Sequence, residues 1–244
     1  MLTMSTMFVY HVDMLPPAAP RVRKPRNRYH HGDLRRALLQ EAVRTIAEEG
    51  VERLTLREAS KRLGVSRTAL YRHFSDKSTL LAAVARDGFQ RFRHDLFEAW
   101  STHTGSRRGF ELMGAAYVRF AVENPGHYQV MFGDYRHLCD KDPELEADGA
   151  AAFQVLIDAL TSLQAAGLVR RDEPRLLAEF IWAIVHGIAM LAINGQLGPA
   201  QAAREELNSL VHFALERMHS GIKVESGRAP SRATRPLSRS RPST

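Results

Sequence analysis

Between about residue 32 and residue 220 the apolar positions fall at helical intervals. From Asp33 to Glu49, Leu34, Leu38, Ala42 and Ile46 lie four apart, with Leu39 and Val43 beside them, which is one face of a 3.6-residue period. Asp33 is a suitable N-cap for this first helix and Gly50 a suitable residue just past its end. Thr55-Leu-Arg-Glu58 has the spacing of a capping box and opens a second helix that stops near Leu63, ahead of Gly64. Ser66 caps a third helix, to about Phe74, and Ser75 or Asp76 caps a long fourth one, to about Trp100. The pattern predicts further helices over 106–124 (ended by Pro125), 126–134, 143–167 (closed by Gly167), 173–194 and 199–219. Alternating β-branched runs are missing, so the fold class is all-α.

The second and third helices are short, and a glycine-containing turn at Gly64-Val65 joins them. Behind a longer supporting helix, such a pair describes a helix-turn-helix. Leu54, Leu56, Ala59 and Leu63, with Val65, Leu70 and Phe74, suit the inside of a three-helix unit. Ser66, Arg67, Thr68, Ala69, Tyr71, Arg72 and His73 are left largely outside, a face with donors, small residues and a phenol but no acid. A helix of this kind can enter the major groove and read base edges. Arg67 suits a bidentate contact to guanine, and Thr68 and Ala69 suit a thymine methyl group. Tyr71, His73 and Lys77 suit phosphate oxygens. Thr55 and Arg57 begin the second helix, which crosses the backbone in this geometry. The alternative is an ordinary solvated helix face.

Charge sharpens the division. The overall +7 is uneven: residues 1–29 carry five Lys/Arg against one Asp, 30–75 nine against six, and 222–244 six against one. The stretch 76–221 is therefore net acidic, so that one part suits a polyanion and the other does not. Residues 1–29, Met- and Pro-rich and then basic, read as a disordered arm. Residues 222–244, rich in Ser, Arg and Pro, read as a disordered tail. The arm can enter a minor groove or merely aid solubility. The expected organisation is 1–29 arm, 30–76 helix-turn-helix domain, 77–221 C-terminal helical domain and 222–244 tail.

The run from Gly32 to Val84, with LTLREAS, LGVSRTALYRHF and the following DKSTLL, resembles the DNA-binding domain of the tetracycline-repressor (TetR-like) family of bacterial regulators. Trp182, His186 and Gly187 resemble a Trp-His-Gly signature in the C-terminal domain of one subgroup. The resemblance implies an all-helical homodimer. Each subunit would have an N-terminal three-helix DNA-binding domain and a larger C-terminal domain for a small ligand and for dimerisation. It implies roles on the recognition helix for Tyr71 and His73, and for Lys77 after it. The function implied is that of a transcriptional regulator, most often a repressor released from a palindromic operator by ligand. Two other readings stay open: an architectural DNA binder, and an all-helical protein that merely resembles a helix-turn-helix.

In the second half, Trp182 and His186 are four apart and share a helix face; Gly187 permits a close approach by another helix. They are either core or the wall of a pocket with one polar handle. Met113, Tyr117 and Phe120, then Tyr128, Met131 and Phe132, then Phe153 with Leu156, are further candidates for that wall. A mainly apolar or aromatic ligand is expected. Leu177, Ile181, Ile184, Ile188 and Leu191, then Leu207, Leu210, Val211 and Ala214, give the last two helices broad apolar faces for core, dimer contact or both.

Enzymatic and metal chemistry find little footing. P-loop, dinucleotide, H-E-x-x-H and G-x-S-x-G motifs are missing, so catalytic residues, cofactors and metal ligands are not expected. His30, His31, His94, His103, His127 and His137 are scattered and read as surface residues. No eighteen-residue run is uninterruptedly apolar, which speaks against a membrane span. The opening segment lacks the pattern of a signal peptide, though Met1, Met4, Met7 and Met14 leave the start of translation open. The single cysteine, Cys139, suits a reducing cytoplasm.

Overall fold

A computed structural model describes residues 31–134, 142–197 and 203–223. The arm, Cys139, His137 and the tail beyond Lys223 lie outside them. The described residues form α1 (His31–Glu49), α2 (Leu56–Arg62), α3 (Arg67–Tyr71), α4 (Lys77–Ser101), α5 (Arg107–Glu123), α6 (Pro125–Phe132), α7 (Pro143–Ala165), α8 (Pro174–Ile193) and α9 (Ala203–Ile222). The all-α expectation holds.

Side-chain caps set most of the helix starts. The Thr55, Ser66, Asp76 and Ser106 side chains accept from the backbone N–H three residues on. Asp142 and Glu173 do the same ahead of Pro143 and Pro174, whose missing N–H costs nothing in a first turn. Asp76, rather than Ser75, caps α4. Gly50, at φ 90°, takes the chain out of α1 into a single 3-10 turn over Val51–Arg53, a turn that apolar spacing does not reveal.

Leu34, Leu38, Ala42 and Ile46 of α1 are buried against Leu54, Leu56, Ala59, Leu70 and Phe74. Leu63 and Val65 are half-buried at the edge. Arg62 crosses from α2 to α1, donating to Glu49 at 2.7 Å and to the buried Glu41 at 3.4 Å. The second body surrounds α4, which packs against α5, α6 and α7, while α8 lies on α5 and α7 and α9 on α5 and α8. The two bodies share one continuous apolar core. They also meet where α6 crosses α1. There a Cβ at Gly126 would run into the Val43 carbonyl oxygen.

Several boundaries and positions differ from expectation. α3 ends at Tyr71, so Arg72 and His73 occupy the turn after it. The His73 and Phe74 amides both donate to the Leu70 carbonyl, because Phe74 must swing back into the core. Pro125 is the first residue of α6, not only the stop of α5. α9 runs to Ile222, which is buried, and Lys223 forms an antiparallel bridge with Val169. These two residues thus belong to the folded unit and not to the tail. His127 is buried rather than superficial, its Nε2 2.9 Å from Asp87 Oδ2. A Cβ at Gly187 would meet open space, so within the described residues this glycine serves no close helix approach. α8 is long and apolar enough to cross a membrane by length and composition; in this fold it packs as a domain helix.

Candidate functional site

α3 is five residues long, too short to be stable alone. Two side chains hold it in place, Leu70 and Phe74, both inside the core. Everything between them on the far side is free to face outward. Ser66, Arg67, Thr68, Tyr71 and Arg72 are exposed, Tyr71 by 53%, and Ala69 and His73 are half-buried. Thr55 and Arg57 are exposed at the start of α2. The hydroxyl oxygens of Thr55 and Ser66 accept the Glu58 and Ala69 amides at 3.1 and 3.2 Å, which leaves each hydroxyl hydrogen available to an outside acceptor. No acidic side chain occurs from Gly64 to Ser75. The surface is a donor-rich ridge on a rigid support, shaped for a polyanion groove.

Lys77 departs from its expected placement. Its ammonium donates to the Val51 carbonyl at 2.6 Å, stitching the start of α4 to the 3-10 turn. It is half-buried. Its charge still adds to the positive ridge, but its first partner is the protein's own backbone.

The second site is a cavity of about 430 Å³ inside the C-terminal body, within the size range of small-molecule pockets. Six of the nine expected wall residues line it: Met113, Tyr117, Met131, Phe132, Phe153 and Trp182. Leu156 lines it too. Phe120, Tyr128 and His186 do not. Phe120 is buried behind Phe92, with ring centroids 5.1 Å apart. Tyr128 and His186 stand one layer out and join the wall through hydrogen bonds. The Trp182 indole N–H donates to the Tyr117 hydroxyl at 2.9 Å, and the Tyr128 hydroxyl donates to the same oxygen at 3.0 Å. His186 Nδ1 lies 2.7 Å from the Tyr128 hydroxyl and 3.1 Å from that of Tyr117.

Burial favours the uncharged form of each titratable member of this cluster. Burial pushes the Tyr117 and Tyr128 hydroxyls well above the usual phenol range and pulls the His186 imidazole below its own. The Trp-x-x-x-His spacing therefore builds a neutral hydrogen-bonding corner on an otherwise apolar wall.

Sequence reasoning missed the contribution of α4. Phe89, Phe92 and Leu96 line the cavity at spacings of three and four, a signal present in the chain but not among the expected wall residues. Arg175 and Glu179 at the cavity's edge were also missed. They are joined Nε to Oε1 at 3.1 Å, with the Arg175 guanidinium 5.9 Å from the Phe153 ring centre. Among the described residues no group of three or more His, Cys, Asp or Glu is placed to hold a metal ion.

Two family models match the chain, and they fall on the two bodies. Residues 38–84 match the bacterial regulatory proteins of the tetR family, and residues 110–217 match the tetracyclin repressor-like C-terminal domain. The HTH-type transcriptional regulator YobS of Bacillus subtilis is 32% identical over 197 residues, which cover 79% of this chain and 95% of that protein. The chain belongs to the TetR family.

A solved structure of a Rhodococcus sp. RHA1 protein of unknown function superposes on this TetR-family chain with a TM-score of 0.70 and 31% identity. It covers 81% of this chain and all of the other. The HTH-type transcriptional repressor AcnR of Corynebacterium diphtheriae is 42% identical over 57 residues, 23% of this chain and 30% of that protein. As a member of this family the protein is a helix-turn-helix transcriptional regulator. The α3 ridge lies within the part matched by the family's N-terminal model and the cavity within the body matched by the C-terminal one, and ligand-responsive regulation is typical of the family.

Proposed function

We propose that this protein is a homodimeric repressor that binds an inverted-repeat operator and is released from it when an apolar or aromatic small molecule fills the cavity. One observation carries the reading. Five residues separate α3 from α4, which continues as one uninterrupted helix to the cavity wall at Phe89, Phe92 and Leu96. At 1.5 Å per residue, Phe89 lies about 18 Å along that helix from Lys77. A ligand that binds better when α4 is displaced would carry the α3 ridge with it.

In this reading Arg67, Thr68 and Ala69 approach base edges. Thr55, Arg57, Ser66, Tyr71, Arg72, His73 and Lys77 meet phosphates. The effector is held by the cavity residues, with Tyr128 and His186 acting through Tyr117. Dimerisation is supported by α8 and α9, which leave Leu176 and Phe180, and Leu210 and Phe213, exposed. Leu177 and Val211 of the same helices are buried. Two-fold pairing would set the two α3 ridges about 34 Å apart, one helical turn of DNA. Work in the cytoplasm, where the operator is, follows from this role.

The test is selection of bound sequences from a random duplex pool with the purified protein. An inverted repeat is the expected product. Enrichment without a motif would instead make the protein an architectural DNA binder, and no enrichment at low salt would refute DNA recognition. Addition of a cavity ligand should then lower affinity for the selected operator. A rise would make the ligand a co-repressor.

A further inference from the structure

We propose that residues 21–28 are a second DNA-reading element, which enters the minor groove next to the major groove that α3 occupies and selects A·T base pairs there. This rests on the proposed operator binding by α3 and extends it to base pairs that α3 does not touch.

The segment reads Arg-Val-Arg-Lys-Pro-Arg-Asn-Arg, five cations in eight residues, and no acid occurs from Met14 to Gly32. It lies outside the described residues, but the place where it joins them is defined. α1 begins at His31, and Leu34 in its first turn is buried in the core. One residue on, the Arg35 guanidinium lies 5.5 Å from the centre of the Phe74 ring. Phe74 directly follows Tyr71, Arg72 and His73 of the ridge, and its amide donates to the Leu70 carbonyl of α3. His31 is four residues from Arg35, about 6 Å along a helix. The segment therefore joins the fold beside the C-terminal edge of the ridge.

Its reach fits the neighbouring groove. On a duplex, a major groove and the next minor groove are centred half a turn apart, about 17 Å. An extended chain advances about 3.3–3.6 Å per residue, so Arg28 can stand about 10 Å from His31, Arg26 about 17 Å and Arg21 about 33 Å.

The composition favours the minor groove over the outer phosphates. That groove, about 6 Å wide, is too narrow for a helix but admits an extended chain. Pro25 disfavours helix and biases Lys24 toward extended backbone. Arginines are drawn into narrow A·T-rich minor grooves by the enhanced negative potential there. Asn27 can donate to the adenine N3 and thymine O2 acceptors that these pairs present. A G·C pair adds the guanine N2 amino group to the groove, so that a row of cations and donors would meet a further donor.

The test begins with sequence selection by the full-length wild type and by a full-length variant carrying Arg21→Gln, Arg23→Gln, Lys24→Gln, Arg26→Gln and Arg28→Gln together. The wild type should recover A·T pairs about five base pairs from the centre of each α3 site, and the variant the same inverted repeat without them. In fluorescence anisotropy on the recovered operator, exchanging those A·T pairs for G·C should weaken wild-type binding by about fivefold or more and variant binding by less than about twofold. Inosine·cytosine pairs then show which groove is read. Inosine lacks the guanine N2 amino group but keeps the major-groove pattern of guanine, so these pairs should restore wild-type binding to the A·T level. This comparison needs no variant, and thermal melts check that the variant is folded. Inosine·cytosine pairs that bind like G·C, or an A·T preference that persists in the variant, would overturn the minor-groove reading. Equal loss of affinity on all three flanks would make the segment a phosphate tether, and unchanged binding would make it a solubilising tail; either overturns the inference while operator recognition by α3 stands. Selection without any motif would remove operator recognition, and this second element with it.

Discussion

Arg67 and Lys77 illustrate two ways a positive charge would serve the proposed DNA-binding surface. Arg67 is fully available on the first turn of α3. Arg67→Ala should relax preference at one base position of each half-site and cost about 1–3 kcal/mol there. Repeating the sequence selection with the variant checks this, and an unchanged profile would remove Arg67 from base reading. Lys77 spends one donor on the Val51 carbonyl. Lys77→Met should therefore lower the melting temperature as well as weaken all duplexes by a similar factor. A hydrogen bond from a charged donor contributes about 1.5–3 kcal/mol, with the low end suiting a half-exposed group. A loss of affinity confined to one sequence, with the melt unchanged, would contradict both parts.

Among the elements, the start of α4 is the most tightly capped. Asp76 accepts from the Ser78 hydroxyl at 2.6 Å, from the Thr79 amide and hydroxyl at 2.8 Å, and from Ser75 at 3.0 Å. These bonds, that from Ser78 foremost, hold its carboxyl well below the usual carboxylate range. A depressed folded pKa means stabilisation present above the unfolded value, near 4, and lost as the pH falls through the folded one. Asp76→Asn keeps a capping oxygen but cannot titrate, so its melting temperature should fall less steeply below pH 4 than that of the wild type. Parallel curves would show that Asp76 does not set the acid response. Such caps are written in three or four neighbouring residues, which is why Thr55, Ser66 and Asp76 are legible without a structure. The 3-10 turn at Val51, the burial of His127 and the Lys77–Val51 bond depend on residues distant in the chain, so local patterns are silent about them. The cavity is an intermediate case. The Met and aromatic stripes of α5 and α6 announce a wall, but the same spacing places Phe120 behind it. Only packing separates a residue that faces a space from one that fills it.

For the whole molecule, the proposed dimer rests on the α8–α9 face. Replacing Phe180 and Phe213 together by Glu should leave the fold intact, because both are about half exposed, and convert a dimer to a monomer in analytical ultracentrifugation. Affinity for an inverted repeat should drop to that for a single half-site. A variant that stays dimeric would put the contact elsewhere. The helix that follows α3 is itself a wall of the cavity, and under the proposed function this has an evolutionary consequence. On the proposed reading, substitutions at Phe89, Phe92 or Leu96 would change which compound is sensed without altering a residue of the α3 ridge. A new sensor built this way inherits its genetic address and its transmission rod unchanged, so chemical input and genomic output can diverge separately among descendants of one gene.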